Sequence, residues 1–245
     1  MEITLFRRAR PHEVAEDSPS ELCEDDLRHL VELERGQRLL LQSAYEETVA
    51  ALARALEFKD TGTGAHSQRV QRYAVELADE LAPELLEDRS VEYGFLLHDV
   101  GKIGIPDSVL RKPAPLDLDE RRLMETHTLL GEQLLEDLAL LRGEGLRVVR
   151  SHHERWDGSG YPDRLAGEEI PLSARIFAVA DALDAMTNDR PYRGAGTWSH
   201  AAEQIGAGAK RQFDPDVVEA FRARELDLLR LHRELDDSAQ PLIMY

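Results

Sequence analysis

With 245 residues, 42% of them hydrophobic and 32% charged, the chain can bury one substantial core and is too short for two large domains. A formal net charge of -18 sets up a field that repels polyanions and offers no basic stripe, which argues against DNA or RNA as partners. No apolar run approaches membrane-spanning length, and the single cysteine, Cys23, cannot close an intramolecular disulfide, so the expectation is a soluble cytoplasmic protein without membrane contact.

Residues 1–25 are rich in Pro, Ser and acids and have no period, which predicts a poorly ordered arm. From about Leu27 to Phe58, Leu30, Leu33, Leu40, Ala44, Ala51 and Ala55 recur at helical spacings, predicting one or two helices. Such a stripe packs on its own domain more often than on a second chain, although a leading helix is also a common dimerisation element. After the Gly/Thr loop Asp60 to Ala65, Val70, Tyr73, Leu77 and Leu81 mark one face of the next helix, and His66 lies on that stripe. Val91, Phe95 and His98 step at four and three, which turns this histidine inward as well.

A Gly/Pro loop is expected from Gly101 to about Pro115. Asp117 and Glu120 then form a capping-box pair, opening a helix with Leu123, His127, Leu130 and Leu134 as its inward stripe. A short piece around Leu146 to Arg150 leads to His152 and His153, and a second Gly/Pro loop runs to Pro171. From Ser173 to about Asn188 the chain is apolar nearly all round except at Asp181 and Asp184, which predicts a central helix. A carboxylate on such a helix is costly unless paired or metal-bound. A charged helix with a short tail follows from Glu225, and His232 on it is expected to be exposed. No stretch alternates as a strand would, so the fold class is all-α.

Five of the nine histidines thus fall near predicted helix faces, beside Asp99 and Asp181. Neutral imidazole and ionised carboxylate are the ligands of borderline divalent metals, so the set reads as a metal centre.

The order of these residues also resembles a family. His66, HDVGK (His98 to Lys102), His127, HHERWDGSGYP (His152 to Pro162) and Asp181 in ARIFAVADALDAMTNDRPYR are similar to the HD-GYP branch of the HD-domain phosphohydrolases, over about residues 55–222. The resemblance implies an HD-domain helical bundle whose metal ligands are His66, His98, Asp99, His127, His152, His153 and Asp181, with Asp99 bridging. It implies hydrolysis of cyclic di-GMP to linear pGpG or GMP through a metal-bridging hydroxide. Lys102 then faces the scissile phosphate, Arg190 and Arg193 contact substrate phosphates, and Tyr161 and Pro162 border the site. Members with a third metal carry a glutamate four residues before the first histidine. Gly62 stands there in this chain, so two divalent ions are expected, iron or manganese first, with zinc or nickel also compatible with the ligand set.

The expected organisation is an acidic arm (1–25), an N-terminal helical segment (26–54), a catalytic domain (55–224) and a C-terminal helix and tail (225–245). A homodimer through the N-terminal helices and a separate signalling partner are both compatible with it. Two other functions stay open: a phosphohydrolase for another cyclic nucleotide, and a catalytically silent module that binds a dinucleotide or a partner protein.

Overall fold

A computed structural model describes residues 24–60, 66–189 and 194–239. The arm up to Cys23, Gly62, and the pair Arg190 and Arg193 lie outside the described residues. The chain divides into two compact units, Met1–Tyr45 and Glu46–Tyr245.

One helix, α1 (Glu24–Asp60), replaces the expected one or two. In the first unit its Leu30, Leu33 and Leu40 stand in solvent. In the second unit the same helix buries Val49, Ala53 and Glu57, spaced by four. Ala51 and Ala55, read from sequence as part of the packing stripe, lie two residues past Val49 and Ala53, about 200° round the helix, and are exposed. The stripe expected to pack on its own domain is therefore largely bare.

The second unit continues with α2 (His66–Leu81), α3 (Ser90–Leu97), α4 (Asp107–Leu110), α5 (Leu118–Glu125), α6 (His127–Leu135), α7 (Glu144–Ser151), α8 (Leu172–Thr187), α9 (Trp198–Ala207), α10 (Pro215–Ala223) and α11 (Glu225–Ala239). Among the described residues there is no strand, only an isolated bridge between Ala209 and Phe213. None of the described helices is long and apolar enough to cross a membrane.

Helix α8 is the central element. It buries Ile176, Phe177, Val179, Ala180 and Leu183 against Val70, Tyr73 and Leu77 of α2 and Val217 and Phe221 of α10. Helix α9, which the sequence reading did not foresee, adds Ala201 and Ile205 to the same core. His232 on α11 is not exposed: it shares a 2.9 Å hydrogen bond with the buried Tyr73 hydroxyl and packs on Trp198.

Two departures lie next to the histidines. The stretch Gly101 to Pro115, expected as a loop, contains a 3₁₀ turn (Val100–Gly104) and the short α4. The helix expected to run from Asp117 through Leu134 has its capping box, with Asp117 accepting from the Asp119 and Glu120 amides, but it breaks at Thr126. There the Thr126 hydroxyl and amide both donate to the Leu123 carbonyl, which closes α5, and α6 begins at the next residue. Leu123 and Leu134 are consequently exposed, while His127, Thr128, Gly131 and Leu135 form the buried face.

Two close approaches set where the histidines meet. A Cβ on Gly94 would lie 2.5 Å from the Gly145 carbonyl oxygen, so α3 and α7 pack with backbone against backbone. The Ser90 hydroxyl accepts from the Gly145 amide at the start of both helices. The rings of His98 and His152 meet 5.2 Å apart at their ends, so the two helices run side by side in the same direction. At Gly101 a Cβ would fall 1.8 Å from the His127 carbonyl oxygen, a position no side chain can share. Gly101→Ala is therefore expected to lower stability by about 3 kcal/mol, the upper range for overpacking. Urea unfolding measures it, and a loss below about 1 kcal/mol would show that α6 does not depend on this contact.

Candidate metal centre

The histidines sit where helices end. His98 follows the last residue of α3, His127 opens α6 one residue past the end of α5, and His152 follows α7. Each ring uses its Nδ1 on a carbonyl of the turn before it: His98 on Phe95 (2.9 Å), His127 on Met124 (2.8 Å) and His152 on Val149 (3.0 Å). Carbonyls at a helix end lack intrahelical donors, so the rings satisfy them and are held by them. A carbonyl only accepts, so Nδ1 carries the proton and Nε2 presents a lone pair.

Those lone pairs converge. Nε2 of His127 and Nε2 of His152 are 3.3 Å apart, and Asp99 Oδ1 lies 3.3 Å from the first and 3.8 Å from the second. That carboxylate oxygen is buried and has no hydrogen-bond partner among the described residues. Three acceptors facing one another repel unless a cation sits among them. On this observation the donor set fits a divalent metal ion.

Asp99 belongs to two groups of potential ligands: one with His127, His152 and His153, the other with His66 and His98. Its Oδ2 is 3.2 Å from His98 Nε2 and 2.7 Å from Lys102 Nζ. Asp99 lies beyond α3, at the start of the following turn, and this is what lets it join His98 in one group and face the other group as well. Asp181, from α8, stands at the His66 edge, with its Oδ1 3.5 Å from His66 Nε2. The structure thus gathers all seven residues expected as ligands, with Lys102 beside them.

Phe177 forms the floor, with its ring 4.6 Å from that of His98 and 5.8 Å from that of His152. Burial pushes His152 down to about 4, and it also holds His153 well below the usual imidazole range. Burial opposes charge on His66 too, but the hydrogen bond it donates to Asp184 and the charges of Asp184, Asp181 and Asp99 outweigh it and raise this ring. At Asp99 burial works to raise the carboxyl, and Lys102 with the surrounding histidines more than offsets it, leaving Asp99 well below the usual carboxylate range. At neutral pH His152 and His153 are neutral and Asp99 is ionised, the protonation state that binds metal.

A cleft of about 560 Å³ opens above the centre, lined by His152, His153, Asp181 and Tyr161 together with Glu125, Arg155, Gln204 and Gln212. Tyr161 packs on the His153 ring at 4.8 Å. Trp156, the other aromatic of that loop, is not on the cleft wall and instead packs beneath Arg175. Sequence reasoning missed Glu125, Arg155, Gln204 and Gln212. Glu125 and Arg155 stand two residues from His127 and His153, and that proximity was the available signal. The two glutamines come from α9 and the turn after it, where no motif marked them. Glu154 was also missed: it is buried, and its Oε1 accepts from the Asp163 amide, tying down the end of the Tyr161 loop.

Fold and site together define an all-helical protein with a histidine–aspartate cluster suited to divalent cations. A family model described as HD domain matches residues 50–217. The chain belongs to the HD-domain family. It is 44% identical over 191 residues to the cyclic di-GMP phosphodiesterase response regulator RpfG of Xanthomonas campestris, a match covering 76% of this chain and 50% of that protein. It is 37% identical over 198 residues to 3'3'-cGAMP-specific phosphodiesterase 2 of Vibrio cholerae, covering 80% of this chain and 38% of the other. Among solved structures it resembles the V. cholerae cyclic GMP-AMP phosphodiesterase V-cGAP3 with a TM-score of 0.59 at 22% identity, over 79% of this chain and 52% of that one, a likeness of fold. The chain spans about half or less of the length of these relatives.

In the metal-free protein His152 binds fewer protons folded than unfolded between about 4 and its ordinary 6.5. Stability should then fall as pH drops from 6.5 towards 4, since the unfolded chain takes up protons that the folded chain refuses. Thermal unfolding across that window, with His152→Gln as the control of flatter slope, measures it; equal slopes would contradict the assignment.

Proposed function

We propose that this chain is a metal-dependent phosphodiesterase acting on cyclic di-GMP and giving linear pGpG or GMP in second-messenger signalling. The carrying observation is the Asp99 carboxylate, shared between two ligand groups at the base of an open cleft and flanked by Lys102. His66, His98, Asp99, His127, His152, His153 and Asp181 would hold two divalent cations, iron or manganese first. Bound there, the cations would supply Lewis-acid chemistry to a phosphodiester.

The chain's own groups do the rest. Lys102 offsets negative charge gathering on the phosphoryl oxygens and keeps Asp99 ionised. Arg190 and Arg193, on the family resemblance, would contact the substrate phosphates, a task to which a planar guanidinium is suited. Tyr161, whose hydroxyl burial and the Asp99 charge push upward, stays a neutral phenol and offers a hydrogen bond and a ring face in the cleft. Gln204, Gln212 and Glu125 supply the mixed donors and acceptors that a purine edge requires. The relatives named for 3'3'-cGAMP favour a second reading in which one base is adenine. The catalytic domain in this reading is residues 55–224, between an N-terminal arm (1–25) with its helical segment (26–54) and a C-terminal helix and tail (225–245), in a cytoplasmic protein.

Freshly purified protein reconstituted anaerobically with manganese or iron should hydrolyse cyclic di-GMP. Asp99→Ala should lose both metal and turnover. Lys102→Met should keep its metal and lose about 10²- to 10³-fold in kcat, the range for removing one preorganised electrostatic donor. A metal-loaded wild type that cleaves 3'3'-cGAMP faster would transfer the reading to that substrate, and one that cleaves neither would refute it.

We also propose a homodimer through α1, supported by the exposed Leu30, Leu33 and Leu40. Light scattering should give twice the chain mass, falling towards one chain when Leu33 and Leu40 are both changed to Glu. A monomeric wild type would contradict it.

A further inference from the structure

Three histidines of the centre are held by main-chain carbonyls, but His66 is not. Its Nδ1 lies 2.6 Å from Oδ2 of Asp184, three residues beyond Asp181 on α8. Asp184 is 2% exposed and its carboxylate is fully engaged. Arg69 Nε (2.6 Å) and Asn188 Nδ2 (2.9 Å) donate to Oδ1, and Arg69 Nη2 (3.1 Å) and His66 to Oδ2. With these donors in place Asp184 has no oxygen left for a metal. Arg69 sits one helical turn after His66 on α2, so the same helix carries the ligand and the clamp on its partner.

We infer that Asp184, gripped by Arg69 and Asn188, is a positioning residue that prepares His66 as the ligand of one cation site only, the one shared with His98 and Asp99. The inference rests on the proposed metal centre and adds an asymmetry to it. The site of His127, His152 and Asp99 takes its orientation from helix ends and forms with the fold. The site containing His66 depends on a side-chain relay. A carboxylate on the far nitrogen fixes the ring's rotation and tautomer and strengthens the near nitrogen as a donor, and loss of such a partner typically costs about 10- to 100-fold in metal affinity.

Asp184→Asn keeps the volume but puts an NH2 donor where one acceptor oxygen stood, so the donors of His66, Arg69 and Asn188 can no longer all be served. Metal-free wild type, Asp184→Asn and His127→Ala would be titrated with Mn²⁺, with bound metal counted by equilibrium dialysis and the pair followed by electron paramagnetic resonance. Wild type should bind about two ions and show a spin-coupled signal. Asp184→Asn should keep one ion at wild-type affinity, bind the other about 10- to 100-fold more weakly, and show an isolated Mn²⁺ signal at one equivalent. His127→Ala should lose the opposite site. Unchanged affinity at both sites in Asp184→Asn would overturn the inference, and so would equal loss at both, which would make Asp184 a structural support of the whole centre. Should Asp184→Asn fail to fold by circular dichroism, Arg69→Lys, which keeps the charge without the two-pronged grip, carries the same test with the same pair of outcomes. Wild type that binds no Mn²⁺ would refute the centre itself, a result separable from a loaded wild type beside an equally loaded variant.

Discussion

A buried carboxylate facing imidazole lone pairs is the constraint on which the rest of this structure depends. Asp99 Oδ1 looks onto Nε2 of both His127 and His152 without a hydrogen bond of its own. Such a cluster is unfavourable in a folded chain unless positive charge compensates it. Lys102 supplies part of that compensation through Oδ2. The remainder falls to whatever cation the ring nitrogens hold, so the site and the core around it are one electrostatic problem.

The packing around the cluster follows from that requirement. Phe177, stacked 5.4 Å from Phe95, packs on the rings of His98 and His152, and burial keeps His152 and His153 from protonating. The contact of Gly94 with Gly145 brings the ends of α3 and α7 together, and the missing side chain at Gly101 lets the His127 backbone close over the turn. A methyl group at any of these points would separate ligands that must meet within a few ångström. Glycine here sets ligand distance as much as helix packing.

Much of this was legible in the sequence, and the reasons differ by residue. His66 and His98 could be placed because each shares a helical period with neighbouring apolar residues, and α8 because it lacks a polar face; His127 is buried as expected, but on a different face from the Leu123 and Leu134 stripe that pointed to it. The sequence also marked Asp184 as a carboxylate on a central helix that needs a partner, and its oxygens are taken up by His66, Arg69 and Asn188. What it hid depends on tertiary contacts. The bare face of α1 and the buried one at Val49, Ala53 and Glu57 are both plausible stripes in sequence, and only the neighbouring helices choose between them. The break at Thr126 rests on a side-chain hydrogen bond to Leu123 that leaves no periodic trace. The Tyr73–His232 bond spans 159 residues and has no local signature.

The three ring-to-carbonyl bonds have one more consequence. Phe95, Met124 and Val149 each lie in the last turn of a helix, so α3, α5 and α7 all aim their carboxyl ends at the same small volume. Aligned peptide dipoles leave about half an elementary negative charge at each such end. Helices α2 and α6 open at His66 and His127 with the opposite sign, so the balance of main-chain ends at the centre is one carboxyl end, a shallow well for positive charge beside the deeper one made by Asp99 and Asp181. A chain with net charge -18 therefore carries two kinds of acidity: a surface kind written in side chains, and an inner kind written in the direction of its main chain, which no tally of Asp and Glu would register.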